Sequence, residues 1–128
     1  MQYPEFLRRV EEQIATAHPD SNTQRAAELA ITATLETLNE HLTGGEAKDL
    51  AAQLVKEVQP ALQPKTEEAK AFSLEEFYRR VAKREGVDIE TARIDAEAVM
   101  RVLREAVTFG ELDDVMAQLP AEFNILFR

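Results

Sequence analysis

The chain has two imidazoles, His18 and His41, and no thiol. A histidine serves as metal ligand or general base only where partner groups stand at a workable spacing, and no such spacing is visible here. His18 lies in Ala-His-Pro-Asp-Ser-Asn, a stretch with the chemistry of a loop. His41 falls in the last turn of a predicted helix, where a protonated ring suits the negative end of the dipole. Both are read as surface or cap residues. Glu46 with Asp49, and Glu111 with Asp113 and Asp114, are the only acidic groups that recur beside a turn. All-oxygen donors would suit a divalent cation, but the spaced Asp-x-Asp-x-Asp-Gly pattern of a calcium loop is missing. Helix capping accounts for their spacing. Ser21 and Ser73 stand at expected helix caps, with no nucleophile elbow. There is no phosphate loop, dinucleotide fingerprint or His-Glu-x-x-His pattern. The expectation is no enzyme, no metal and no cofactor.

Two further groups invite a binding role. Gln53 and Gln118 each stand in an apolar helical setting, between Ala and Leu. The architectural reading has each amide bonded to a backbone group of a neighbouring helix, with Gln118 substantially buried. The competing reading has them grip a ligand or partner. Arg79, Arg80, Lys83 and Arg84 cluster on one predicted helix, but Glu75 and Glu76 stand four residues before the two arginines, in the favourable order for helical ion pairs. A solvated face is the simpler account. A phosphate or acidic-partner patch is the alternative.

The elements that carry these residues come in two sets. Glu5-Phe-Leu-Arg-Arg-Val10 returns as Glu76-Phe-Tyr-Arg-Arg-Val81, and the twelve residues from Thr43 to Leu54 return from Thr108 to Leu119 with seven identities. The offsets, 71 and 65, put six extra residues in the first copy, most simply at Ala15–Asn22. Helical periodicity places Phe6, Leu7, Val10 and Ile14 on one face, and Phe77, Tyr78 and Val81 on its counterpart. A second helix runs from Thr23 to Leu42 with Ala27, Ile31, Leu35, Leu38 and Leu42 inward. Ala92, Ala96, Met100, Leu103 and Val107 match them. A third helix carries Leu50, Ala51, Leu54 and Val58, matched by Val115, Met116, Leu119 and Phe123. Ser73-x-x-Glu76, Thr43-x-x-Glu46 and Thr108-x-x-Glu111 have the form of capping boxes, and Gly45 and Gly110 fall in the tight turns between second and third helices. Pro120 suits the start of a short terminal helix, and Val55 at the equivalent place suggests a different segment in the first copy.

The predicted fold is therefore all-α, two tandem pseudo-repeats of a three-helix unit packed into one helical bundle. Residues 1–63 form the first repeat, 64–71 a polar linker opening on Pro64, and 72–128 the second repeat. A helical unit of ~60 residues is marginal alone, so the copies should share a core, with Val58, Leu62, Phe123 and Phe127 sealing the contact. The 128 residues, 45% of them apolar, suffice for such a domain, and the net charge of −9 repels phosphate backbones and anionic membranes. No apolar run approaches the ~20 residues of a membrane span and no signal-peptide pattern opens the chain, so a cytoplasmic location is expected.

The Glu-Phe-x-Arg-Arg-Val opening, the Gly-Glu-x-x-Asp-(Leu/Val)-x-Ala-Gln-Leu signature and the Leu-Pro-Ala-Glu-Phe ending together resemble a bacterial family, domain of unknown function 2267, in two tandem copies. The resemblance implies a small helical protein and supplies no activity, substrate or cofactor. The function expected from the residues is a non-enzymatic module that binds another protein in a groove between helices. The alternatives are a small-ligand binder or enzyme with a pocket at the junction of the repeats, and a weak nucleic-acid or anionic-partner binder through Arg79–Arg84. A homo-oligomer is compatible with all three.

Overall fold

The computed structural model describes residues 1–63 and 69–127. Most of the expected linker at 64–71 lies outside the described residues. Those described are helical throughout, with no strand among them: α1 (Tyr3–Ile14), α2 (Thr23–His41), α3 (Gly44–Gln53), α4 (Leu74–Glu85), α5 (Ile89–Ala106) and α6 (Phe109–Ala117). Short 3-10 segments follow α1 (Ala15–Ala17), α3 (Lys56–Leu62) and α6 (Ala121–Phe127). No helix among the described residues is long and apolar enough to cross a membrane.

The helices begin where side chains satisfy their free N–H groups. Asn22 Oδ1 accepts from the Arg25 N–H, so Asn22 and not Ser21 caps α2. Ser73, Asp88, Thr43 and Thr108 cap α4, α5, α3 and α6 in the same way. Gly86 ends α4 at φ 73°, and its N–H and that of Val87 both reach the Ala82 carbonyl. That left-handed position explains the glycine. Gly45 and Gly110, in contrast, lie inside the first turns of α3 and α6 and not in the corners between helices, where a Cβ would meet nothing within 4 Å.

α1, α2, α4 and α5 pack together around one core, with Phe6, Val10, Ile14, Leu35, Leu38, Phe77, Val81, Met100 and Leu103 closed from solvent. The apolar stripe of each helix meets the others in this bundle, as the spacing requires. The third helices are shorter than expected. α3 stops at Gln53 and α6 at Ala117, which moves Val58 and Phe123 into the 3-10 segments. Those segments are alike in form, although Val55 stands where the other has Pro120. The segment with Val58 and Leu62 packs chiefly on α1, α2 and α3, within its own half. Phe123 does reach across, its ring 4.8 Å from that of His41 and 5.4 Å from that of Phe77. His41 is no surface cap. It is buried, with the Phe72 ring tilted against it at 3.9 Å between centroids.

Candidate functional site

The loop from α1 to α2 spans residues 15–22, whereas the turn from α4 to α5 spans only 86–88. The longer loop carries His18 out of the first half and against the second. Its Nε2 stands 2.9 and 2.8 Å from Oδ1 and Oδ2 of Asp95. The His18 side chain is 9% exposed and that of Asp95 fully buried, so the expectation of a surface histidine is overturned. With its proton on Nε2, the ring donates to both carboxyl oxygens of Asp95.

Glu85 completes the group. It is the last residue of α4, where the helix dipole already disfavours a negative charge. Its Oε1 is buried with no hydrogen-bond partner among the described residues. Burial, then hydrogen bonding to Asp95 and the charge of Asp95, push the Glu85 carboxyl up to about 10. At neutral pH it is therefore a neutral carboxylic acid, held against Asp95. The nearest side-chain donor atoms of His18, Glu85 and Asp95 lie within 4.8 Å of one another. A mixed nitrogen and oxygen set of this kind is also able to hold a transition-metal ion.

A cavity of about 210 Å³ opens onto His18 and Glu85. Ser21, Asn22 and Arg25 add polar groups to it, and Ala26, Leu29 and Val87 an apolar wall. It lies between the α1–α2 loop, α2 and the end of α4, at the junction of the two halves. Glu85 and Asp95 escaped the sequence reading. The signal for Asp95 was present: it stands three residues after Ala92 and beside Ala96, a carboxylate on the inward stripe of α5.

The residues singled out in the sequence fall elsewhere. Gln118 Oε1 accepts from the Thr43 N–H at 2.9 Å, and Gln53 Oε1 accepts from the Thr108 N–H at 2.9 Å. The bonds are reciprocal, each glutamine reaching the N-cap of the other third helix. Neither side chain is core: Gln53 is exposed and Gln118 half-buried. They therefore do not reach the burial expected of Gln118. On α4, Arg79 pairs with Glu75 and Glu76. Arg80 bonds Glu76 and Glu40, and its guanidinium covers the Phe72 ring at 3.9 Å. Arg84 bonds Glu40 and the Thr37 hydroxyl. Lys83 lines the same shallow groove as Glu40, Arg80 and Arg84.

An all-α bundle with a His–Asp–Glu group beside a small cavity defines the class: a helical domain with a recess where its two halves meet. The family model described as "Uncharacterized conserved protein (DUF2267)" matches residues 3–126, and the chain belongs to that family. No curated protein matches the chain.

Proposed function

We propose that the chain is a binding protein without catalytic activity that takes one small polar molecule in the cavity between the α1–α2 loop and the end of α4. The observation that supports this is the joint presence of a neutral Glu85 carboxyl and the His18 ring at one cavity. At about 210 Å³ it is smaller than the ~300–1,000 Å³ of sites for drug-sized ligands, so its occupant is small. The Arg25 guanidinium, the Ser21 hydroxyl and the Asn22 amide give the cavity its donors, the Glu85 proton and the His18 Nε2–H being turned to Asp95. A ligand that offers acceptors fits them, and a short aliphatic carboxylate is the simplest, its chain set against Ala26, Leu29 and Val87. Ser21 lines the same cavity, but no Ser21–His18 side-chain hydrogen bond is found among the described residues, which favours binding over nucleophilic catalysis.

Finer parts of the reading belong to the same proposal. We take the two halves as tandem copies of one three-helix unit, on the two recurring segments and the reciprocal Gln53 and Gln118 bonds. The cavity then lies where the copies differ, at the longer loop. A bacterial, cytoplasmic setting is carried with it from the resemblance and from the lack of a span among the described residues. The protein-interaction reading retains one support, Phe109, 85% exposed at the start of α6. The anionic-partner reading is the weakest, since Arg80 and Arg84 are already paired with Glu40.

The test is titration of isotope-labelled protein with acetate, propionate, butyrate and lactate to about 10 mM, a range that detects even weak binding. Saturable amide shifts confined to residues around His18, Ser21, Arg25 and Glu85 are expected, and Leu29→Trp, which fills the cavity, should abolish them. Spectra unchanged by every acid would overturn the reading. Shifts that follow protein concentration and centre on Phe109 would favour the interaction module instead.

A further inference from the structure

The first turns of α3 and α6 face each other away from that cavity, and three carboxylates meet there. Glu46 is 9% and Glu111 7% exposed. Oε1 of each is buried without a hydrogen-bond partner among the described residues. One carboxylate oxygen from each of Glu46, Glu111 and Asp114 lies within 4.8 Å of the others. Asp114 is exposed, so the group meets solvent on one side.

The glutamines explain how this came about. In a Thr-x-x-Glu cap the glutamate carboxylate ordinarily accepts from the N–H of the threonine. Here Gln118 takes the Thr43 N–H and Gln53 takes that of Thr108. Only the hydroxyl half of each box is made, from Thr43 Oγ1 to the Glu46 N–H and from Thr108 Oγ1 to the Glu111 N–H. Glu46 and Glu111 lose their local partners and meet each other. Two carboxylates this close do not both stay ionised unless a proton or a cation lies between them. The two helix N-termini supply roughly half a charge each, about one in all, against Glu46, Asp49, Glu111 and Asp114. No Lys or Arg forms an ion pair with any of those four among the described residues.

We propose that Glu46, Glu111 and Asp114 bind one hard divalent cation that ties the first turn of α3 to that of α6. The donors are all oxygen, which suits Ca²⁺, Mn²⁺ or Mg²⁺ better than a metal that favours nitrogen or sulfur. Water completes the coordination from the side of Asp114. The cation fastens the two third helices at the point where the glutamines already cross.

The experiment is calorimetric unfolding of chelator-stripped protein, before and after addition of CaCl₂, MnCl₂ or MgCl₂. A cation at a hundredfold excess over its Kd should raise the unfolding temperature by roughly 5–10 °C. The rise should vanish in Glu111→Gln and in Asp114→Asn, and persist in Glu85→Gln, which leaves the site intact. Should Glu111→Gln fail to fold, the exposed Asp114→Asn and Mn²⁺ broadening of wild-type amides around Glu46 and Glu111 locate the ion. No rise with any of the three salts would overturn the proposal and leave a shared proton as the neutralising group. A rise lost in Glu85→Gln and kept in Asp114→Asn would overturn it too, since the ion would then sit at His18.

Discussion

Glu85, Glu46 and Glu40 show how three carboxyl groups of one chain acquire different acidities. Glu85 is pushed up to about 10 and Glu46 to about 8, each first by burial and then by a neighbouring carboxylate. Burial also pushes Glu40 up, but Arg84 and Arg80 outweigh it and hold the group below the ordinary range. The signs follow from proton binding. Folded Glu85 keeps a proton between about 4.5 and 10, where the unfolded chain has lost it. Unfolding then releases a proton, so stability from this group is full below about 4.5 and declines as pH rises toward 10. Glu46 acts in the same sense up to about 8. Glu40 acts in reverse, its contribution lost as acid protonates it. Glu85→Gln keeps a neutral, similar group without the titration. Urea unfolding at acid and alkaline pH should find the variant close to wild type near pH 5 and more stable than wild type near pH 9. Parallel profiles for the two proteins would show that Glu85 does not titrate in this window.

At the scale of elements, the crossed glutamines decide how α3 meets α6. The carboxamide of Gln118 satisfies the N–H of Thr43, and its Nε2 stands 3.4 Å from the Thr43 hydroxyl. The site is half open to water, so a lost bond is partly replaced by solvent. Gln118→Ala should therefore cost only about 0.5–1.5 kcal/mol, the net worth of an ordinary hydrogen bond. Leu119, next along, is buried against the core, and Leu119→Ala should cost about 2–5 kcal/mol through the cavity it leaves. Denaturant unfolding of the two variants separates them; equal losses would mean that Gln118 holds the α3–α6 contact more firmly than its exposure implies.

On the scale of the molecule, the halves depend on each other. α2 packs on α4 and α5, and α1 on α5, so most of the apolar face of the first half is covered by the second. Polar ties run the same way: Arg9 to Glu105, Arg101 to Gln13, Arg80 and Arg84 to Glu40, and His18 to Asp95. Exposed pairs among these contribute little. The shared core contributes most. Residues 1–63 expressed alone should lack a cooperative transition and show collapsed amide dispersion by NMR, since half a core of this size does not offset chain entropy. A sharp, two-state unfolding of that fragment would show that the halves are separate domains.

Much of this was legible in the residue order. The 3.6-residue spacing of Phe6, Val10 and Ile14, or of Ile31, Leu35 and Leu38, specifies a helix and its buried face by local geometry alone. Thr43, Ser73 and Thr108 mark helix starts for the same reason: an N-cap acts within a few residues of itself. What a side chain meets from a distant segment has no such local signature. His18 looked like loop chemistry because Asp95 lies 77 residues away. Glu46 and Glu111 looked like completed caps because Gln118 and Gln53, which displace them, come from the far half. By itself the sequence determined the helices, their faces and their caps, since those depend on neighbours in the chain. Only the tertiary structure decided which carboxylates stand together, because the charge around a buried group is set by whatever the packing brings beside it.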